Sequence, residues 1–245
     1  MKQFADLHLR PSSKRGQETE RMLRKVSDLG YRLVGVTLPS RAEQDHLRFL
    51  KKICADFRLD FASRIDLAPK SSEELLQTLR RLRRKVELVS VNCLSKSVAR
   101  QAAKDHRVDL LAFQSSNPRE RFFDEAEARL ASNSFAALEV DMALVLRTVG
   151  SERARLLSSL RKEITIARKL DVPVVLSSNA SDPYQLRGPH DFAALATLFG
   201  MNMASALDAI SVTPSTIVKQ NREKLGEGYV ARGIRVLRRG GNCVE

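Results

Sequence analysis

The chain has 245 residues, 43% of them hydrophobic, enough for a substantial core and close to the size of one α/β barrel. Lysine and arginine number 42 against 29 aspartate and glutamate, and the resulting charge of +13 draws polyanions. No apolar window is free of charges, aromatics are 5% with no Trp, and Cys54, Cys93 and Cys243 form no CxxC pair. A helical membrane span, a base-stacking single-strand reader and a disulfide or cysteine–zinc framework are therefore disfavoured, and a cytoplasmic protein is expected.

The opening run 3–8 reads as a strand that carries Asp6 and His8. Two apart, they point to the same side and sit at its end, where ionisable groups are tolerated at the rim of a barrel. Pairing with each other and with backbone groups is their simplest chemistry. A helix over 17–29 buries Met22, Leu23, Val26 and Leu29 and stops at Gly30. The nearly continuous apolar run 33–38 is of the kind a parallel strand shows when both faces are covered. Pro39 ends it, and Ser40 with Glu43 has capping-box spacing for a helix that reaches Phe57 and holds Cys54 as a small core residue.

A third strand over 59–65 is followed by a second capping box, Ser71 with Glu74, and a helix burying Leu75, Leu76, Leu79 and Leu82. The basic residues Arg80, Arg81, Arg83, Arg84 and Lys85 close that helix. They either complement its macrodipole or contact phosphates. Strands follow at 86–92, 108–113, 136–140 and 174–176, with helices at 96–105, 123–132 and 152–170. Later helices are expected at 191–199, 203–209 and from Thr213, with Pro214 at the first helical position, to Leu225. A last extended piece is expected at 229–237. The reading is a single barrel domain over 1–237 with a frayed basic tail at 238–245.

Seven βα units and no Gly-rich fingerprint after the first strand favour a distorted TIM-like α/β barrel of about seven parallel strands over an open dinucleotide-binding sheet. Functional groups then gather where strands end: Asp6, His8, Arg10, Arg41, Arg64, Asn92, Gln114, Glu139, Asp141, Ser177, Ser178 and Asn179. Metal-assisted phosphoester hydrolysis through Asp6, His8 and Glu139 is one reading. It is short of ligands, because His46, His106 and His190 fall in or beside helices. Ser177 and Ser178 lack a G-x-S-x-G elbow, and with Asn179 they read as a polar turn. The cations Arg10, Lys14, Arg15, Arg41, Arg64, Lys70, Lys96, Arg119, Arg121 and Arg187 all follow or end strands. In a closed barrel they would share one face, an electrostatic footprint for RNA backbone.

The segments FADLHLRPS, GYRLVGVTLPS, PVVLSSNASDPYQLRGPHDFAALATLFGM and ISVTPSTIVKQNREKLG, in this order across nearly the whole chain, resemble the archaeal protein component 3 of ribonuclease P, a relative of the eukaryotic thirty-kilodalton subunit. That family is similar in fold to the polymerase and histidinol phosphatase superfamily of metal-dependent phosphoesterases. Asp6 and His8 match the superfamily's opening strand, but Arg10 stands where its second His belongs, and Asn179-Ala180-Ser181 replaces its late Asp-x-His.

The resemblance implies a subunit that is not itself catalytic and holds no metal or cofactor of its own, magnesium serving the RNA. It implies that Asp6, His8, Glu139, Ser177, Ser178 and Asn179 are a vestigial polar cluster. The implied partners are the ribonuclease P RNA, precursor tRNA through the holoenzyme, and a small ferredoxin-like protein subunit, with removal of 5′ leaders as the joint activity. The alternative is a free-standing metal-dependent phosphoesterase.

Overall fold

Alternation of apolar strand runs with amphipathic helices produces a barrel. The computed structural model describes residues 3–11, 16–39, 44–226, 228–231 and 234–235. In chain order the elements are β1 (Phe4–Leu9), α1 (Gly16–Asp28), β2 (Tyr31–Thr37), α2 (Gln44–Asp56), β3 (Asp60–Leu67), α3 (Ser72–Leu82), β4 (Leu88–Asn92), α4 (Lys96–Lys104), β5 (Leu110–Ala112), α5 (Glu125–Ser134), β6 (Ala137–Asp141), α6 (Met142–Arg147), α7 (Gly150–Lys169), β7 (Val174–Ser177), α8 (Pro189–Ala196), α9 (Met203–Ala209) and α10 (Val212–Leu225). The short pair β8 (Tyr229–Ala231) and β9 (Ile234–Arg235) follows.

The seven strands β1 to β7 pair in parallel in sequence order. The β1–β7 seam is closed by a single bridge, Leu9 to Ala180, and by the Arg10 amide donating to the Ala180 carbonyl at 2.8 Å. At the other end of the seam the Ala5 amide donates to the Ile210 carbonyl at 2.9 Å. The expected extended piece at 229–237 appears as the antiparallel pair β8–β9, outside the barrel sheet. An eighth barrel strand is therefore absent among the described residues. The capping box at Ser40 and Glu43 and the tail 238–245 lie outside the described residues.

Two apolar layers hold the barrel. The strands alternate, apart from an irregularity in β1, so one set of side chains faces the helices and the other fills the interior. The interior set, Ala5, Leu7, Leu33, Ala62, Leu88, Leu110, Ala137 and Val175, is joined by Val218 of α10, which stoppers the end where the strands begin. One step further along β3, β4, β6 and β7 the apolar filling stops, and Arg64, Ser90, Glu139 and Ser177 take its place, each buried. Cys54 is buried in the outer layer, where burial pushes its thiol up to about 12, as a core residue should.

The helix signals hold with local exceptions. The Ser71 hydroxyl accepts from the Glu74 amide, and Gly200 stops the α8 segment at φ +93. The long helix expected over 152–170 is preceded by a separate short helix, α6, started by Asp141 accepting the Leu144 amide. The last long helix begins at Val212, so Thr213 lies inside it rather than capping it.

Candidate functional site

β1 departs from a regular strand, and the site is built on that departure. The β1–β2 register shifts between Asp6 and Leu9. At the same point Leu7 presses on Gly35 so closely that a Cβ there would lie 2.3 Å from the Leu7 oxygen. Only glycine allows this approach. The Leu7 carbonyl is thereby aimed into the barrel, where it accepts a hydrogen bond from Arg64 Nη1 at 2.9 Å.

Arg64 occupies the centre of the mouth. Its Nη1 and Nη2 fork onto Glu139 Oε1 and Oε2 at 2.5 and 2.6 Å, and its Nε donates to Asp66 Oδ1 at 2.7 Å. Nη2 also lies 3.1 Å from His8 Nδ1. A guanidinium only donates, so Nδ1 is the acceptor, which leaves the ring proton on Nε2, 3.1 Å from Asp66 Oδ2. Ser90 and Ser177 donate to the two oxygens of Glu139 at 3.1 and 2.7 Å, and Thr37 donates to Asp66 Oδ2 at 2.8 Å. The network ties strands on opposite sides of the barrel to one cation.

Burial alone would raise the carboxyls of Asp66 and Glu139. Arg64 outweighs it and holds both below the ordinary carboxylate range. Burial alone would likewise disfavour the Arg64 cation. Asp66 and Glu139 reverse that effect and raise its pKa.

Asp6 stands apart from this network. Its Oδ1 accepts from the amides of Ser178 at 3.0 Å and His8 at 3.1 Å, so it stitches the seam between β1 and β7. The Ser178 hydroxyl completes the stitch by donating to the His8 carbonyl at 3.2 Å. Among the described residues Asp6 Oδ2 is buried without a hydrogen-bond partner, and burial raises the carboxyl's pKa. Asn179, in the left-handed region at φ +50, donates through Nδ2 to Asp141 Oδ2. Burial raises the Asp141 carboxyl despite that bond.

The structure thus brings Asp6, His8, Glu139, Ser177, Ser178 and Asn179 to one end of the barrel, but it corrects their grouping. The strand irregularity separates Asp6, in the seam, from His8, which meets Arg64. Among the described residues no three His, Cys, Asp or Glu side chains are grouped to hold a metal ion. Glu139, expected as a ligand in the phosphoesterase alternative, has both oxygens engaged by a permanent cation and two hydroxyls. A divalent ion there would face the guanidinium's charge, so these residues do not fit one.

Three of the expected RNA contacts are displaced. Arg64 is 0% exposed and faces inward, because β3 runs on to Leu67 and places it in an interior layer. Arg121 has a side chain only 3% exposed. It forks onto Glu163 of α7 at 2.6 and 2.7 Å and donates to the carbonyls of Phe113 and Ser115, so it serves as an internal brace. Arg187 is exposed, but its carbonyl is bonded by Tyr31, the first residue of β2, and the helix after it opens with His190 against Phe4. The chain after β7 has descended the wall, which carries Arg187 away from the mouth.

Arg10, Lys70 and Arg119 are exposed on the connections after β1, β3 and β5, and Lys96 is exposed at the first position of α4, after β4. Lys96 also pairs with Asp124 at 3.2 Å. Lys14, Arg15 and Arg41 lie outside the described residues. Asp66, Ser90 and Thr37 are site residues that the sequence reading missed. The signal for Asp66 was its two-residue spacing from Arg64 along one strand.

Fold and site define a seven-stranded (β/α) barrel whose mouth is filled by an arginine clamped between carboxylates and ringed by exposed cations. The model of the family RNase P subunit p30 matches residues 3–225, and the chain belongs to this family. It is 35% identical over 176 residues to the ribonuclease P protein component 3 of Methanosarcina mazei, an alignment covering 71% of each chain. It is 29% identical over 236 residues to that of Methanococcoides burtonii, covering 96% of this chain and 94% of the relative. A chain in the cryo-EM structure of archaeal ribonuclease P with mature tRNA superposes with a TM-score of 0.84 at 24% identity, covering 96% of this chain and 98% of that one, which supports the same fold.

Proposed function

We propose that this chain is the component 3 protein of an archaeal ribonuclease P and works as a scaffold for the catalytic RNA rather than as a hydrolase. The observation that carries the reading is Arg64. Its charge occupies Glu139 and meets His8, two of the groups the phosphoesterase alternative would need as metal ligands, and the surrounding groups are spent on it. Family membership and the names of the relatives support the assembly.

On this reading the exposed Arg10, Lys70, Lys96 and Arg119 neutralise phosphate repulsion as the RNA folds. The chain needs no cofactor of its own, and magnesium serves the RNA. Its partners are the ribonuclease P RNA, precursor tRNA through the holoenzyme, and a small ferredoxin-like subunit, in the cytoplasm.

The test is cleavage of a 5′-leader precursor tRNA by the cognate RNA at low magnesium, with each protein alone and with both. Activation that requires both proteins is expected. No effect of this chain in any combination overturns the assignment. Stoichiometric Mn²⁺ binding with phosphodiester turnover by the chain alone would overturn the scaffold role in favour of the phosphoesterase.

A further inference from the structure

The basic run that closes α3 is not used by the mouth. In a βα barrel the helices run back against the strands, so α3 and its neighbour α4 both end at the rim where strands begin. Leu82 of this run is buried. Arg83 turns inward, donating to the Val86 carbonyl at 3.1 Å and to Asp109 at 3.2 Å. The remaining members, Arg80, Arg81, Arg84 and Lys85, are exposed, as is Lys104 at the end of α4.

Four carboxylates on this side of the rim are already committed to other cations. Asp109 is taken by Arg83, and Asp105 by Arg107 at 2.7 Å. Glu87 and Asp60 are taken by Arg222 of α10, at 2.5 and 2.7 Å. Among the described residues no carboxylate lies within ion-pair distance of Arg80, Arg81, Arg84, Lys85 or Lys104.

Complementing the helix macrodipole accounts for cations in the last turn of α3. It does not account for Arg84 and Lys85, which lie beyond the α-helix in a 3-10 turn. Five like charges gathered on adjacent helix ends repel one another, and a polyanion relieves that repulsion.

We propose that the ends of α3 and α4 form a second phosphate-binding face, on the opposite rim from the mouth, through which the chain grips a separate stretch of RNA backbone. The inference rests on the RNA-scaffold reading and adds a second grip to it. Its consequence is a protein that bridges two RNA segments across the length of a barrel.

The test uses the full chain and a tRNA transcript as the probe, with affinity followed against KCl concentration. The variants are Arg80→Gln/Arg81→Gln/Arg84→Gln/Lys85→Gln, the mouth variant Arg10→Gln/Lys70→Gln/Arg119→Gln, and their combination. Arg84→Gln/Lys85→Gln, which leaves α3 untouched, guards against a folding defect. The α3-end variant is expected to lower affinity at least tenfold at 0.1 M salt and to flatten the log–log slope by about 3, with the shorter variant giving about half. The combined variant is expected to lose the product of the two effects.

A normal slope in the α3-end variant, with a flattened one in the mouth variant, overturns the second face and leaves the scaffold reading standing. Unchanged slopes in both overturn the two together. An unchanged tRNA slope with lost binding to phosphatidylserine vesicles would assign the face to a membrane surface and overturn the RNA grip.

Discussion

Arg64 and Arg119 follow the same pattern in the sequence, a cation at or after the end of a strand, yet they belong to two different parts of the molecule. Arg64 is fully buried and spends its donors on Glu139, Asp66 and the Leu7 carbonyl. Arg119 stands exposed on the loop beyond β5. The inner arginine gives its charge to the fold. The outer ones leave theirs to solvent and to whatever anion approaches. Net charge counts both alike, so +13 overstates what the mouth can offer an RNA.

Removing the inner cation should break this division most severely. Arg64→Met leaves two carboxylates buried against each other and should cost about 3–5 kcal/mol, read from denaturant unfolding at pH 7. Glu139→Gln should cost somewhat less, about 2–4 kcal/mol, and should also change the acid limb. The carboxyls of Glu139 and Asp66 are held low in the folded state. Their contribution is complete above the ordinary carboxylate pKa, about 4, and is lost as pH falls through the lowered folded value. Stability of the Glu139→Gln chain should therefore fall less steeply below about pH 4 than that of the unaltered chain.

Gly35→Ala sharpens the comparison without touching a charge. The new Cβ would force the Leu7 backbone away and cost about 1–3 kcal/mol, part of it through the loss of the Arg64–Leu7 bond. Asp6→Asn should be milder, within about 1 kcal/mol at pH 7. The amide oxygen can still accept both N–H groups, and the loss of a carboxylate disfavoured by burial offsets the cost of placing the amide nitrogen at the unpartnered Oδ2 position. At the outer extreme, Lys70→Gln with Arg119→Gln should leave the melting temperature unchanged and weaken RNA binding, with a flatter salt dependence. A stability loss in that pair, or none in Arg64→Met, would erase the distinction between the two regions.

Much of the barrel was legible because strands and helices bury residues with different periods, and the two periods alternate along this chain. The polar cluster was legible because Asp6, His8, Glu139 and Ser177 close strand runs. Depth was not legible. Whether Arg64 faces in or out depends on how far β3 continues and on which interior layer it reaches. An expected end at residue 65 cut off Asp66, the partner that marks it as internal. Arg121 was misplaced for a related reason, since its partner Glu163 is distant in sequence and only packing joins them. The irregularity in β1 was also hidden. Gly35 reads as an ordinary glycine in a strand until the Leu7 backbone is seen against it.

The seam between the first and last barrel strands has a consequence for how the molecule assembles. It joins residues about 170 positions apart through Asp6–Ser178, Ser178–His8 and Arg10–Ala180, in place of a full ladder. During synthesis β1 has no lateral partner on that edge until β7 and the turn after it have left the ribosome, and the Ala5 amide waits longer still for Ile210. Closure is then a late event with a large loop entropy to overcome. It should also be the first to reverse. In hydrogen exchange the amides of Ala5, Arg10 and Ser178 should open ahead of those in the β3–β6 ladder.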